Sequence, residues 1–162
     1  MRHIISVIVE NKPGVLARVA SLFSRRGYNI HSLTVGVTED PTLSRMTIVA
    51  DGDDSILEQI QKQLYKLIDV VKVIDLPRDK SVRRELVLVK VKSDASSRSE
   101  IIQVADIFRG KIVDVGAESL TIEITGETGK LEAFIGMMGK FGIKEMLRTG
   151  TVALHRGEKT II

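Results

Sequence analysis

The chain has 162 residues, 43% hydrophobic but only 4% aromatic, so it holds one ordinary domain or two small ones with cores of Val, Ile and Leu, side chains that favour sheet. With no cysteine it excludes disulfides, thiolate metal sites and cysteine nucleophiles, and it suits a reducing cytoplasm. The net charge of +3, from 24 basic and 21 acidic residues, comes without the basic stripe of a nucleic-acid footprint.

Residues 3–9 alternate, with Ile5, Val7 and Val9 on one side, and read as a strand. That apolar run ends at Glu10, too short for a signal-peptide core or a membrane span. Asn11-Lys12-Pro13-Gly14 breaks it. Val15, Leu16, Val19, Leu22 and Phe23 then fall on one helical face, and Gly27 stands where a left-handed cap is wanted. Residues 28–37 and 43–50 read as strands around a polar loop, 38–42. Ser55 and Glu58 have capping-box spacing before a stripe of Ile56, Ile60, Leu64 and Leu67. Residues 70–76 give a further strand, so the order is β-α-β-β-α-β.

After a polar connection at 77–83 the order repeats. Residues 86–91 read as a strand. Ser97 and Glu100 repeat the capping-box spacing ahead of Ile101, Val104, Ala105 and Phe108, and Gly110 is the stop. Strands at 111–115 and 120–125 flank a turn at Gly116. A helix on Leu131, Phe134, Ile135 and Met138 follows, then a strand over 143–155 broken near Gly150. The expected fold class is α+β: two tandem ferredoxin-like (βαββαβ) domains, residues 1–77 and 84–162. Each sheet carries both helices on one face. Ile4 and Ile8, and Leu120, Ile122 and Ile124, are expected on the other, open face, which predicts a partner or self-association.

Catalytic signatures are missing. His3, His31 and His155 lack zinc spacing. Gly126-Glu127-Thr128-Gly129-Lys130 has the wrong glycine spacing for a phosphate loop, and Leu131 stands where a hydroxyl should meet magnesium, so it reads as a helix start. RNA-recognition domains share the fold, but strand 43–50 has no aromatic on which a base could stack. No catalytic residue and no metal ligand is assigned; the pattern points to binding.

The informative segment is Glu10 to Leu16. Pro13 fixes the backbone and Gly14 removes a side chain where a ligand can approach. The amides of Gly14, Val15 and Leu16 are expected in the first helical turn without intrahelical partners. There a carboxylate can accept from them, with about 0.3–1 kcal/mol from the helix dipole at an exposed site. Asn11 offers a side-chain amide to a ligand's polar end.

Ile5 to Leu16, followed by Ser21-Leu22-Phe23-Ser24-Arg25-Arg26-Gly27-Tyr28-Asn29-Ile30, resembles an ACT domain, and more narrowly the small regulatory subunit of acetolactate synthase. The similarity runs on through 44–49, 63–70, 83–86 and 108–111. It implies a homodimer with N-terminal sheets side by side and a free amino acid, usually valine, in the seam. It implies that the turn at Asn11, Pro13, Gly14, Val15 and Leu16 holds the effector's polar end, and that Asn29 and Ile30 of the neighbouring protomer complete the site. By position, Val15, Leu16, Ile30 and Val35 would meet the effector's aliphatic part; leucine and isoleucine suit such a pocket as valine does. The resemblance further implies a catalytic large subunit carrying thiamine diphosphate, Mg2+ and FAD, none of them bound by this chain, and a cytoplasmic complex with no nucleic-acid or membrane partner. Loop 38–44 is a candidate contact with the catalytic subunit. A stand-alone ACT-type amino-acid sensor is the alternative reading.

Overall fold

The alternation of Arg2–Glu10 becomes strand β1, and the 3.6-residue periodicity after Gly14 becomes helix α1 (Val15–Arg25). Strands β2 (Ile30–Val37) and β3 (Leu43–Asp51), helix α2 (Asp54–Leu64) and strand β4 (Val70–Asp75) complete the first β-α-β-β-α-β. The computed structural model describes residues 1–162 and divides them into two units: Met1–Arg83 with Thr151–Ile162, and Arg84–Gly150.

In the first unit the antiparallel sheet has the order β2-β3-β1-β4. Register sets Ile5 opposite Ile48 and Val7 opposite Met46. These side chains meet Val19 and Phe23 of α1 and Ile60 and Leu64 of α2 in one core. Each such burial is worth about 1.5–3 kcal/mol. Of the expected α1 face, Leu16 turns outward and is 46% exposed.

Helix α1 ends as its sequence asks. Gly27 has φ +68°, Gly27 N–H donates to Ser24 O at 3.2 Å, and Tyr28 N–H donates to Phe23 O at 3.1 Å. That is a Schellman ending, with Phe23 and Tyr28 edge-on across it, ring centroids 6.0 Å apart. At α2 the cap lies two residues before the expected capping box. Asp53 Oδ1 accepts from Ile56 N–H at 2.9 Å, and Ser55 donates to the same oxygen at 2.7 Å. A carboxylate accepts more strongly than a hydroxyl, so the aspartate takes the cap.

The sheet face away from the helices is not open along its whole length. Ile4, Val49 and Leu76 are buried there with Ala153, from strand β9 (Val152–His155). Ile8 is buried as well. The chain thus covers part of its own second face, which alternation within one strand cannot reveal.

The second unit repeats the pattern through β5 (Ser81–Lys92), α3 (Arg98–Ile107), β6 (Lys111–Val115), β7 (Ser119–Gly126), α4 (Thr128–Gly139) and β8 (Ile143–Arg148), in the order β6-β7-β5-β8. Its core joins Val87, Val89 and Val91 to Ile101, Leu131 and Phe134. Leu120, Ile122 and Ile124 belong to this core, a correction to their expected place on the open face. Register explains it: Ile122 faces Val89 and Ile124 faces Val87, so all four point toward the helices. The opposite face of β7 carries Thr121 and Glu123.

Capping differs here too. Asp94 Oδ1 accepts from the amides of Ser96 and Ser97, each at 2.9 Å, and these bonds with the serine hydroxyls hold its carboxyl down at about 2. Glu100, the expected capping partner, instead pairs with Lys140 at 2.7 Å. After α3 the left-handed residue is Arg109, at φ +59°, rather than Gly110. Gly110 serves close packing, because a Cβ there would meet Ile122 at 3.1 Å. Lys130, in the first turn of α4, donates to Thr125 O at 2.9 Å.

The packing units part at Gly150. Gly150, at φ +88°, turns the chain between β8 and β9. Residues 151–162 then join the first unit, where Arg156 N–H donates to Lys80 O at 2.9 Å.

Candidate functional site

Gly14 is the N-cap of α1, at φ +84° and ψ −9°, a conformation that glycine adopts without steric cost. No side chain caps the helix and no acidic residue stands in its first turn, so the positive end of the dipole is uncompensated. The amides of Gly14 and Leu16 make no hydrogen bond, as expected. Val15 N–H makes only a marginal one, 3.5 Å to Lys12 O. Val15 contributes an amide alone, since its side chain belongs to the core. Leu16 is the apolar side chain that this turn presents to solvent.

The turn is fastened on both sides. Asn11 N–H donates to Thr42 O at 2.8 Å, and Asn11 Nδ2 donates to Pro41 O at 3.1 Å. One half of the Asn11 amide therefore holds loop 38–42, and its Oδ1 is left for another group. That loop is itself ordered: Asp40 Oδ1 accepts from Thr42 N–H at 2.9 Å and from the Thr42 hydroxyl at 2.7 Å, and these bonds keep the Asp40 carboxyl below the usual carboxylate range.

A residue overlooked in the sequence stands beside the turn. The Arg18 guanidinium grips the buried Asp69 carboxylate through Nε at 2.8 Å and Nη2 at 2.7 Å. Its remaining nitrogen, Nη1, lies 3.0 Å from where a Cβ on Gly14 would sit. The mouth of the turn thus has a fixed cation held by a carboxylate on the α2–β4 connection. The signal was present, because an Arg four residues after the N-cap points back over the first turn.

Asn29 and Ile30 stand elsewhere. Asn29 Nδ2 donates to Asp51 Oδ2 at 3.2 Å, and Asn29 O accepts from Asp51 N–H at 3.2 Å. His31 Nε2 bonds the same carboxylate oxygen, and with Asn29 it keeps the Asp51 carboxyl below its ordinary value. Asp51 pairs with Arg2 at the start of β1, whereas Asn11 follows its end. The two halves of the expected site are separated by the length of nine-residue β1, about 26 Å at ~3.3 Å per residue. Within one chain they do not meet. Val35 lies between them on β2, a sheet edge, and is 43% exposed.

Residues 5–72 match the AHAS small subunit-like ACT domain, and residues 84–157 match the family described as the small subunit of acetolactate synthase. The chain belongs to the acetolactate synthase small-subunit family. It is 58% identical over 160 residues to a probable acetolactate synthase small subunit of Methanothermobacter thermautotrophicus, covering 98% of this chain and 95% of that one. It is 55% identical over 159 residues to the acetolactate synthase small subunit of Mycolicibacterium smegmatis, covering 98% and 94%. The crystal structure of the small subunit from Thermotoga maritima superposes with a TM-score of 0.92 at 48% identity, covering 98% of this chain and 99% of that one. As an acetolactate synthase small subunit the chain is a regulatory component, and its family implies a catalytic large subunit as partner. No helix is long and apolar enough to cross a membrane.

Proposed function

We propose that this small subunit activates the thiamine-dependent catalytic subunit of acetolactate synthase in the cytoplasm and confers feedback inhibition by valine, bound between two copies of the chain. One observation carries the reading. The turn Asn11–Leu16 and the pair Asn29–Ile30 sit at opposite ends of β1, and β2 is an edge strand. Antiparallel pairing of β2 with β2 of a second copy, about a two-fold axis, sets Ile30 of one chain against Val37 of the other. The Asn29 end of one protomer then arrives at the Asn11 end of its partner. The site is complete only in the dimer.

In that seam the effector's carboxylate accepts from the Gly14 and Leu16 amides, with Arg18 as the nearby cation. Its ammonium meets Asn11 Oδ1, and its aliphatic part lies against Leu16 and the partner's edge of the sheet. A site shared by two chains changes shape when their interface shifts, so valine binds one arrangement better than another. By reciprocity the catalytic subunit alters valine affinity. Condensation of two pyruvates, with thiamine diphosphate, Mg2+ and FAD, belongs to that partner. The test is acetolactate formation by the catalytic subunit with and without this chain, across a valine titration. Activation that valine reverses supports the reading; equal rates throughout refute it.

A further inference from the structure

A cavity of about 630 Å³ lies within the first unit on the sheet face away from the helices, between β1, β3 and β2 and the segment 152–162. That volume falls within the range of small-molecule sites, about 300–1,000 Å³. Its lining combines Ile8 and Thr47 with Arg45, His155 and Lys159.

Two polar groups there are unspent, and Thr47, only 4% exposed, lines the same cavity. His155 Nε2 is buried without a partner. Arg45, half-buried, donates one N–H to Ala153 O at 3.0 Å and has no carboxylate within ion-pair distance. A desolvated guanidinium without a counter-ion is costly, and an anion repays that cost. Burial holds the His155 imidazole below its ordinary value, and Lys159 and Arg45 push it further the same way, so both cations act on the same space. The one acidic side chain of the lining, Glu39, reaches Arg45 only at longer range.

We infer that this cavity binds a small organic anion, its carboxylate head on Arg45 and Lys159 with the Thr47 hydroxyl donating to it, and its short apolar body over Ile8. The site lies on the opposite sheet face from α1, and it shares with the amino-acid seam only the edge strand β2.

Butanoate, glutarate and inorganic phosphate, titrated into the full-length chain by calorimetry, are the probes, with amide shifts of Thr47 and His155 locating the site. A carboxylate probe is expected to bind once per chain, and Arg45→Gln and Thr47→Val are each expected to weaken it about tenfold or more. Should Arg45→Gln not fold, Arg45→Lys keeps the charge, loses the fork and still weakens binding. Gly14→Asp leaves carboxylate binding unchanged, and Arg45→Gln leaves valine binding unchanged, which separates this site from the seam. Silence of both carboxylates, phosphate binding alone, equal binding to the Arg45 variants, or loss of binding through Gly14→Asp overturns the assignment.

Discussion

Gly14→Asp is the sharpest test of the amino-acid site. At φ +84° any side chain costs backbone strain, about 1 kcal/mol, and aspartate and asparagine bear it best. The new carboxylate would start from a Cβ 3.0 Å from Arg18 Nη1, with the flexible end of that side chain free to give. It would compete with the effector's own carboxylate for that cation and for the free amides. Two like charges about 4 Å apart repel by roughly 1 kcal/mol in water and roughly 4 kcal/mol at an effective dielectric of 20. Valine affinity should therefore fall by between about fivefold and several hundredfold. Gly14→Asn carries the same strain and shape without the charge, so the ratio of the two variants isolates electrostatics from backbone. Calorimetry on the full chain reads affinity, and the holoenzyme assay reads inhibition with activation retained. Equal valine binding by the aspartate and asparagine variants would refute the reasoning.

Asn29→Lys should weaken valine inhibition from the partner's side, by adding bulk and charge beside Asp51; unchanged inhibition in the holoenzyme titration would count against a shared seam. Phe134→Ala removes a fully buried ring stacked edge-on with Phe108 at 5.5 Å and should cost about 3–5 kcal/mol in urea unfolding; a loss below about 1 kcal/mol would contradict the packing. The Asp94 carboxyl should titrate near 2 by NMR. Its folded value is depressed, so its contribution to stability is complete above the ordinary carboxylate value of 3.8 and disappears as pH falls through about 2. A midpoint near the ordinary value would mean that the Ser96 and Ser97 bonds do not form in solution.

Local chemistry made much of the molecule legible from its residues. Strand and helix periods, Gly27 at the end of α1, the break at Gly150 and the Pro13-Gly14 turn all report on neighbours within a few positions, where backbone sterics and side-chain period decide the outcome. Even locally, competition escaped the pattern: Asp53 displaced Ser55 as a cap, and Arg109 took the left-handed position beside Gly110. Face assignment needed register. Only the pairing of Ile122 with Val89 and Ile124 with Val87 shows which way β7 presents its apolar side.

The amino-acid order by itself determined the two repeated β-α-β-β-α-β units, the absence of catalytic motifs and the turn with free amides, because each depends on a short window of chain. Tertiary structure alone decided that residues 151–162 return to cover Ile4, that Arg18 and Asp69 meet across 51 positions, and that Asn11 and Asn29 lie a full strand apart. Those facts rest on long-range packing, in which the partner of a side chain is set by register and by where the chain turns back, not by its neighbours in sequence.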